Sequence, residues 1–345
     1  MIKQYIEQVI DRQDLSFNQS YEVMHHIMNG EVNDIHLTAF LVAMKSKGET
    51  PAEIAGFAKA MKEKSIKINC DDDNLIDVCG TGGDNSGTFN ISTAVAFAAA
   101  GAGVKVAKHG NRSISSKSGS ADVLQELGVD INLSREDSEE ALNKIGITFL
   151  FAPNYHPAMK YAAPVRKGLG IKTLFNMLGP LTNPANVKKQ IIGTFNIKAA
   201  ETMSGSAKYL ELEKACFLCC SNKYDEIYLG DATDIYEYNS EQAVINYSIT
   251  HETFGYPKTE NTSIKGDTAD VNAQIILEIF NQRSKDIKNK TVRGAFHTVA
   301  ANTAFALYSA GYSTDLKECL SAAEDSIISG AALRKLNELK NFRKS

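Results

Sequence analysis

The stretch from residue 77 to residue 122 constrains the fold more than any other part of the sequence. A short apolar run at 75–79 leads into a glycine-rich turn, then a run of small residues, and then a second apolar run at 104–107. A strand, a loop and a helix followed by another strand form the repeat from which α/β sheets are built. We therefore expect a central, mostly parallel sheet flanked by helices, with ligands bound at the carboxyl ends of its strands.

The same stretch contains no carboxylate from residue 85 to residue 121, although the chain carries 41 Asp and Glu among its 345 residues. Four basic side chains lie inside this acid-free window, namely Lys105, Lys108, Arg112 and Lys117. Backbone N–H groups at a helix start, hydroxyl groups and cations are the groups that bind phosphates. The window therefore predicts a site for a multiply charged anion, and a basic loop facing water is the alternative.

The glycine-rich turn, G-T-G-G-D at 80–84, fits neither of two common nucleotide motifs. No G-K-[ST] follows it, as a Walker A loop requires, and no acidic residue lies about twenty positions further on, as the dinucleotide fingerprint requires. The turn leads instead to Thr88, Asn90, Ser92 and Thr93 at a predicted helix start. These polar groups exceed what helix capping alone needs, which favours a phosphate or pyrophosphate ligand.

The first 65 residues have the pattern of short helices. Ser16, Asn33 and Thr50 are placed to cap three of them, and Pro51 follows Thr50 as a first-turn residue. We expect four helices joined by short links, which is the organisation of a small helical bundle.

A change of hydrophobic period near residue 75 predicts a domain boundary. We expect a small all-helical domain at 1–68, joined by part of 160–190, and a larger α/β domain at 72–345. Further strands are predicted at 148–151, 190–195, 215–219 and 236–238.

A second basic window runs from residue 141 to residue 200, with no Asp or Glu and eight Lys and Arg residues. Five of the seven prolines fall within 152–184, which predicts a long, loop-rich segment. Long loops inside compact domains usually have a binding role. Arg166 lies in this segment and is a candidate for holding a ligand carboxylate, because its planar guanidinium matches that group.

Asp225 and Glu226 follow the apolar run at 215–219. Adjacent carboxylates at a strand exit commonly face solvent. A pyrophosphate site nearby favours a second interpretation, because Mg²⁺ is held by one or two carboxylates together with substrate oxygens. Both interpretations remain open on the residues alone.

Composition argues against several classes of protein. The net charge of −4 argues against a nucleic-acid binder with a broad basic face. No apolar run reaches the roughly 18 residues that a membrane helix needs, and the first residues do not have the pattern of a signal peptide. Six cysteines without a disulfide framework or zinc-site spacing favour a reducing compartment. We expect a cytoplasmic protein whose partners are neither nucleic acids nor membranes.

Five long strings stand out along the sequence: D-V-C-G-T-G-G-D, T-F-N-I-S-T, K-H-G-N-R, S-S-K-S-G-S-A-D-V-L and L-F-N-M-L-G-P-L-T-N-P. In these strings and in their order, the sequence resembles the anthranilate phosphoribosyltransferase family of tryptophan biosynthesis. It implies transfer of the phosphoribosyl group of 5-phosphoribosyl 1-diphosphate to anthranilate, with release of pyrophosphate and with Mg²⁺ as cofactor. It also implies a helical domain beside an α/β domain, a site at the hinge, and a homodimer formed through the helical domain.

The resemblance also implies the roles of individual residues. The residues implied to bind the phosphoribosyl diphosphate are Gly80, Gly83, Asp84, Thr88, Asn90, Ile91, Ser92, Thr93, Lys108, His109, Gly110, Asn111, Arg112, Ser113, Ile114, Ser115, Ser116 and Ser120. Anthranilate would be bound by Gly80, Asn111 and Arg166, and Mg²⁺ by Ser92, Asp225 and Glu226. No general acid or base is expected, since the aromatic amine is already neutral at pH 7.

The sequence departs from the family's usual pattern in four places. Asn85 replaces a usual Gly, and Lys172 replaces a usual Arg, which keeps the charge without the fork. Residues 222–224 lack the glycine that is common before the carboxylate pair. The predicted metal residues therefore match the family's motif less fully than the predicted loop residues do. The segment 289–297 is also atypical, and the sequence offers no account of it.

Two other functions remain open. A pyrimidine nucleoside phosphorylase shares the architecture but resembles S-G-R where this chain has Gly110, Asn111 and Arg112, and phosphorolysis of thymidine or uridine would identify it. A non-catalytic relative that binds nucleic acid is the other, and a salt-dependent gel shift would identify that one. The carboxylate pair and the acidic net charge argue against the second.

Overall fold

The computed structural model describes residues 2–70, 72, 74–83, 86–113 and 117–343. Five residues discussed above lie outside this part of the chain, namely the predicted ligand residues Asp84, Ile114, Ser115 and Ser116 and the atypical Asn85.

The helices of the described residues fall into an N-terminal group and a group that surrounds a sheet. The N-terminal group is α1 (Ile2–Ile10), α2 (Phe17–Met28), α3 (Asp34–Lys47) and α4 (Pro51–Glu63). The other helices are α5 (Ile91–Gly101), α6 (Ser120–Glu126), α7 (Arg135–Ile145), α8 (Ala152–Tyr155), α9 (Ala163–Leu169), α10 (Phe175–Leu178), α11 (Ile197–Ser206), α12 (Ala269–Phe280), α13 (Lys290–Ala310), α14 (Leu316–Ile328) and α15 (Ala331–Asn341).

The strands form a single sheet in the order β3-β2-β1-β4-β5-β6-β7. They are β1 (Ile76–Gly80), β2 (Val106–Gly110), β3 (Ile147–Phe151), β4 (Lys189–Gly193), β5 (Lys214–Cys220), β6 (Thr233–Asn239) and β7 (Gln242–Ile249). The first five strands pair in parallel, and β6 and β7 extend the sheet in antiparallel fashion. The predicted fold class, a small helical part and a central, mostly parallel sheet flanked by helices, is confirmed.

The N-terminal helices begin where their capping residues predict. The side chain of Ser16 accepts from the backbone N–H of Gln19 and that of Thr50 from Glu53, and both caps are closed into capping boxes. Asn33 caps α3 through the backbone N–H of His36. These bonds satisfy N–H groups that a helix leaves free at its first turn, so local sequence alone places these helix starts.

Two large apolar clusters cover the two faces of the sheet. One joins Val78 of β1 to α5 and α13. The other joins Ile192 of β4 to the N-terminal helices, and it includes Ala162, Val165 and residues 174–181 from the second basic window. Because this segment shares its core with α1 to α4, we propose a helical domain of residues 1–68 joined by part of 160–190, and an α/β domain at 72–345.

Three details of the predicted secondary structure are wrong. Strand β2 continues through Lys108 to Gly110, beyond the apolar run at 104–107 that predicted it, because it pairs with β3 up to Phe151. Strand β7 was not predicted, because most of its side chains are exposed. The segment at 152–184 is mostly short helical turns, since each of several prolines occupies the first turn of a helix, where its missing N–H costs nothing.

None of the helices in the described part of the chain is both long enough and apolar enough to cross a membrane.

Candidate active site

Two glycines shape the crevice where the strand order reverses. The chain passes from β1 to β2 on one side of β1, while β4 lies on its other side, and open α/β sheets bind ligands at such a switch point. Gly80 and Gly193 end β1 and β4 side by side. A Cβ atom on Gly80 would lie 2.5 Å from Oδ2 of Asp225, and one on Gly193 would overlap the backbone carbonyl of Asp225. Glycine at both positions therefore lets Asp225 reach the carboxyl edge of the sheet.

The neighbouring Glu226 contacts the first turn of α5. Its Oε1 accepts a hydrogen bond of 3.1 Å from the backbone N–H of Ser92, which places a negative charge at the positive end of that helix. The three predicted metal residues, Ser92, Asp225 and Glu226, thus come from distant parts of the chain to one crevice. The described residues contain no cluster of three or more His, Cys, Asp or Glu that could hold a metal ion, so water or ligand oxygens would complete the coordination of a cation here.

Lys108 lies beside this group with its ammonium inside the protein. The residue is 3% exposed, and its Nζ donates to the carbonyl of Val78 at 2.7 Å and to Oγ of Ser92 at 3.2 Å. Burial lowers the pKa of Lys108, while Asp77 acts in the opposite direction. The position of Lys108 on β2, rather than on a loop, gives its charge a fixed place behind the start of α5.

The first loop is tied to the second through one asparagine. Oδ1 of Asn90 accepts from Oγ of Ser118 at 3.2 Å, and Nδ2 of Asn90 donates to the carbonyl of Ser118 at 3.4 Å. Thr88 is half-buried in the same loop, whereas the side chains of Ile91 and Thr93 are buried in the interior. The last two residues therefore offer a ligand only their backbone groups.

Asp122 organises the second loop. Its Oδ2 accepts from the backbone N–H groups of Ser113 and Gly119 at 3.1 and 2.9 Å, and its Oδ1 pairs with Nη1 of Arg112 at 2.8 Å. Burial would raise the pKa of Asp122, but these hydrogen bonds outweigh it and lower the pKa. Arg112 is therefore fixed at the crevice by an internal ion pair.

The turn between β2 and α6 is closed by backbone contacts. The carbonyl of Asn111 accepts from Oγ of Ser120 at 3.2 Å, and Oδ1 of Asn111 accepts from the N–H of Arg112 at 2.7 Å. A Cβ atom on Gly110 would overlap Oγ of Ser120 and approach the ring of Phe149. This turn needs glycine because its two ends come so close together.

The ring of His109 faces away from the loops. It is 7% exposed, its Nδ1 is 3.2 Å from the carbonyl of Gly179, and its ring centroid is 5.1 Å from that of His156. Burial lowers the pKa of His109 to about 4. At neutral pH its Nδ1–H donates to Gly179, so the ring links β2 to the second basic window and has no acid–base role.

Arg166 lies on α9, which packs against α3. Its guanidinium is half-buried and stands over the ring of Phe175 at 5.0 Å. Burial lowers its pKa, and within the described residues it has no ion pair and its side chain forms no hydrogen bond. The structure therefore leaves the donors of Arg166 available, although it forms no hydrogen bond to Gly80 or Asn111, the other predicted anthranilate residues.

Sequence reasoning missed the residues that support the site from behind. Asn272 on α12 contacts Asn90 across 182 positions of sequence, and Asn302 on α13 contacts Ile227 across 75. Both are single asparagines inside amphipathic helices, so no local motif marks them.

The whole chain matches known proteins. Residues 3–65 match the family model described as glycosyl transferase family, helical bundle domain, and residues 72–333 match the glycosyl transferase family, a/b domain. A protein of Salinibacter ruber named anthranilate phosphoribosyltransferase is 42% identical over 343 residues, which cover 98% of this chain and 97% of that protein. The chain belongs to the anthranilate phosphoribosyltransferase family. A relative of the same name from Acetivibrio thermocellus is 42% identical over 345 residues, covering 100% of this chain and 97% of the relative.

Solved structures of anthranilate phosphoribosyltransferases have the same fold. That from Thermus thermophilus superposes with a TM-score of 0.89 at 35% identity, covering 99% of each chain. That from Saccharomyces cerevisiae, in complex with PRPP and Mg, superposes with a TM-score of 0.88 at 25% identity, covering 99% of this chain and 97% of the yeast chain. The family resemblance drawn from the motifs is thereby confirmed over the full length.

Proposed function

We propose that this protein transfers the 5-phosphoribosyl group of 5-phosphoribosyl 1-diphosphate to the amine of anthranilate, with release of pyrophosphate, in tryptophan biosynthesis. The observation that carries the proposal is the meeting of both glycine loops with Lys108, Asp225 and Glu226 at the switch point of the sheet. Full-length relatives of that name support the same reaction.

The residues at the crevice fit Mg²⁺. A cation that is shared with a diphosphate needs few protein ligands, and carboxylate and hydroxyl oxygens are the ligands Mg²⁺ prefers. Asp225, Glu226 and Ser92 supply these oxygens, and the missing side chain at Gly80 leaves room for Asp225. When bound, Mg²⁺ supplies positive charge that offsets the diphosphate and stabilises it as a leaving group.

Apart from holding Mg²⁺, the residues of the site position the two substrates and stabilise the charge on the leaving group. The bond from the anomeric carbon to the pyrophosphate oxygen breaks, its electron pair leaves with pyrophosphate, and the bond to the amine nitrogen forms. The nitrogen then loses one proton to pyrophosphate or water. Lys108, held by Val78 and Ser92, faces the negative charge that grows on the departing oxygen. The loops at 80–93 and 108–120 hold the phosphates through backbone N–H groups and hydroxyls. Because the nucleophile is a neutral aromatic amine, orientation replaces general-base catalysis.

Arg166 is the proposed anchor of the acceptor. Its guanidinium donors have no carboxylate partner within the described residues, and the ring of Phe175 restrains the guanidinium plane. A benzoic acid such as anthranilate offers the carboxylate that this fork matches. The second basic window thus binds the acceptor, while the first binds the donor.

We also propose a homodimer formed through the helical domain. Ile10 and Ile35 on α1 and α3 are 63% and 80% exposed, and Val42 on α3 is 43% exposed. Large apolar side chains at such exposure favour a protein contact. The free state of all six cysteines supports a cytoplasmic location.

The decisive experiment follows anthranilate fluorescence in purified protein. We expect the signal to fall only when 5-phosphoribosyl 1-diphosphate and Mg²⁺ are both present. A signal that stays constant while the diphosphate still binds would mean that the acceptor is wrong. Phosphorolysis of thymidine or uridine, or a gel shift with nucleic acid that weakens with salt, would instead favour one of the two alternative functions.

A further inference from the structure

Two buried asparagines from the C-terminal helices lie behind the site. Asn272 on α12 is 2% exposed and Asn302 on α13 is 1% exposed. A buried amide costs free energy unless its hydrogen bonds are made, so such residues are retained where their bonds hold something in place. Each of these two contacts a different half of the crevice.

Asn272 holds the side chain of Asn90. Its Nδ2 donates to Oδ1 of Asn90 at 2.9 Å and to the carbonyl of Asp267 at 3.3 Å, while its own Oδ1 accepts from the N–H of Asp267 at 2.8 Å. Oδ1 of Asn90 also accepts from Ser118. Because Oδ1 of Asn90 is thereby directed at two donors, the amide of Asn90 has one orientation.

The segment before Asn272 is fastened to both phosphate loops. The N–H of Gly266 donates to the carbonyl of Gly87 at 2.8 Å, and Thr88 forms an isolated antiparallel bridge with Lys265. On the second loop, Lys117 pairs with Asp267 at 2.6 Å. Asn272 therefore anchors a strap, residues 264–272, that lies across the ends of the first and second loops.

Asn302 holds the backbone beside the carboxylate pair. Its Oδ1 accepts from the N–H of Ile227 at 2.9 Å, and its Nδ2 donates to the carbonyl of the same residue at 2.9 Å and to the carbonyl of Thr298 at 2.8 Å. Ile227 directly follows Glu226. One side chain thus binds both backbone groups of the residue next to the pair.

We propose that Asn272 and Asn302 are positioning residues for separate parts of the site. Asn272 orients Asn90 toward the phosphoribosyl diphosphate, and Asn302 fixes the backbone that presents Asp225 and Glu226 to Mg²⁺. The inference rests on the proposed function for the identity of these ligands. The two halves can be tested separately because no hydrogen bond joins Asn272 to Asn302.

The test uses the same isosteric substitution at both sites. Asn272→Asp and Asn302→Asp keep the accepting oxygen and replace the donating Nδ2 by an oxygen that faces carbonyl acceptors. For Asn272→Asp we expect a roughly tenfold rise in the KM for the diphosphate, with the Mg²⁺ requirement unchanged. For Asn302→Asp we expect the Mg²⁺ concentration for half-maximal rate to rise about 10- to 100-fold, with diphosphate binding in the absence of Mg²⁺ unchanged.

Calorimetric titration gives a readout that does not depend on turnover. Binding of 5-phosphoribosyl 1-diphosphate without Mg²⁺ should weaken only in Asn272→Asp, and the gain in affinity on adding Mg²⁺ should shrink only in Asn302→Asp. Asn281→Asp is the matched control, since Asn281 is the exposed C-cap residue of α12 and its Nδ2 bonds only to the carbonyl of Leu277 in that helix. Asn272→Ser and Asn302→Ser repeat the test without a buried charge if an Asp variant does not fold.

The outcomes separate the inference from the proposed function. The positioning roles would be overturned if each variant changed the Mg²⁺-free affinity for the diphosphate and the gain in affinity on adding Mg²⁺ equally, or changed neither. A wild-type protein that binds the diphosphate with Mg²⁺ but leaves anthranilate unchanged would overturn the acceptor, and the titrations would still decide the roles of the asparagines. A wild-type protein that binds neither ligand would overturn both.

Discussion

Two buried lysines in this protein are held in opposite ways. Lys47 in the helical domain donates to Glu53 at 3.0 Å and to Asp14 at 2.7 Å, so two carboxylates neutralise it. Lys108 in the α/β domain donates to a carbonyl and a hydroxyl, and within the described residues it forms no ion pair. Both side chains are buried, but only Lys47 forms ion pairs, while Asp77, Asp225 and Glu226 act on Lys108 from a longer distance.

The environment of Lys47 is complete without a ligand. Glu53 also accepts from the backbone N–H groups of Leu15 and Thr50 at 2.8 Å each. Burial alone would lower the pKa of Lys47, but the hydrogen bonds that Lys47 donates to Asp14 and Glu53 outweigh it and raise the pKa. The ion pairs of Lys47 therefore stabilise the helical domain, and they leave no unpaired charge that could bind a ligand.

Lys108 forms hydrogen bonds to a carbonyl and a hydroxyl and has no ion pair within the described residues, which leaves its charge suited to an anionic ligand. Leaving a buried ammonium without an ion pair lowers stability, and burial accordingly lowers the pKa of Lys108. The difference between the two lysines shows how a functional charge can be separated from a structural one. The predictions below test that difference in order of decreasing effect.

The largest effect should follow from removing the carboxylates that face Lys108 across the crevice. Replacing Asp225 and Glu226 together by Ala should lower kcat/KM by about 10³-fold or more, on the order of the several kcal/mol that a catalytic metal supplies. Steady-state rates over a range of Mg²⁺ concentrations check this. Near-normal activity would show that the pair does not hold the metal.

Lys47→Met should reduce stability rather than activity. It leaves Glu53, which is fully buried, without its ion-pair partner, and breaking a buried pair costs about 3–5 kcal/mol. Urea unfolding measures the loss, and kcat of the folded fraction should stay at the wild-type value. A fall in kcat without a fall in stability would show that Lys47 acts in the candidate active site. The two lysines would then not differ in function.

Lys108→Met should do the reverse. We expect kcat/KM to fall about 10²–10³-fold, as when one preorganised donor is lost from a transition-state site. The free energy of unfolding should fall by less than in Lys47→Met, because Lys108 has no ion-pair partner among the described residues to leave behind, although Asp77 loses a favourable charge. If stability falls as far as in Lys47→Met, the two lysines do the same structural work.

Buried histidines and buried carboxyl groups should make stability depend on pH. Burial lowers the pKa of His109, His156 and His297 to about 4, 3 and 4, so the unfolded chain binds their protons first as pH falls below 6.5. Burial raises the pKa of Asp77 to about 6, which opposes this between pH 6 and pH 4. Burial also raises the pKa of Glu49, which acts in the same direction as Asp77. Three histidines against two carboxyl groups leave between one and two protons, so the free energy of unfolding should fall by about 1–3 kcal/mol from pH 6 to pH 5. Urea unfolding at several pH values would contradict this if stability stayed level.

The smallest effect should come from the exposed partner of Lys47. The side chain of Asp14 is 64% exposed, and ion pairs to such groups contribute about 0.2–1 kcal/mol. Asp14→Asn should therefore lower the free energy of unfolding by no more than about 1 kcal/mol. A loss as large as that of Lys47→Met would show that Asp14, and not Glu53, contributes most of the stabilisation from the ion pairs of Lys47.

Much of the fold is readable from the sequence because its signals are local. Ser16, Asn33 and Thr50 start the helices they were predicted to start. The parallel strands were predicted within two residues of their first residues because each is a short apolar run, of the length that strands rather than helices have. Strand β7 could not be found this way, since its exposed residues carry no alternation and only antiparallel pairing with β6 makes it a strand.

The residue types of the candidate site could be predicted from the sequence, but the residues that hold them in place could not. The acid-free window and the glycine turn predicted an anion site, and the structure brings the described members of the two loops together. The bond of Lys108 to Ser92 depends on β2 extending past its predicted end. Whether Arg166 holds anthranilate stays a prediction, because it forms no hydrogen bond to Gly80 or Asn111.

The sequence by itself determined where α2 to α4 and the parallel strands begin, where glycine is needed and where negative charge is absent. Those properties depend on neighbours a few residues apart, which a linear pattern records. The tertiary structure decided that Glu226 meets Ser92 across 134 positions and that Asn272 meets Asn90 across 182. Contacts at such separations follow from the order of strands in the sheet, and no local pattern encodes that order.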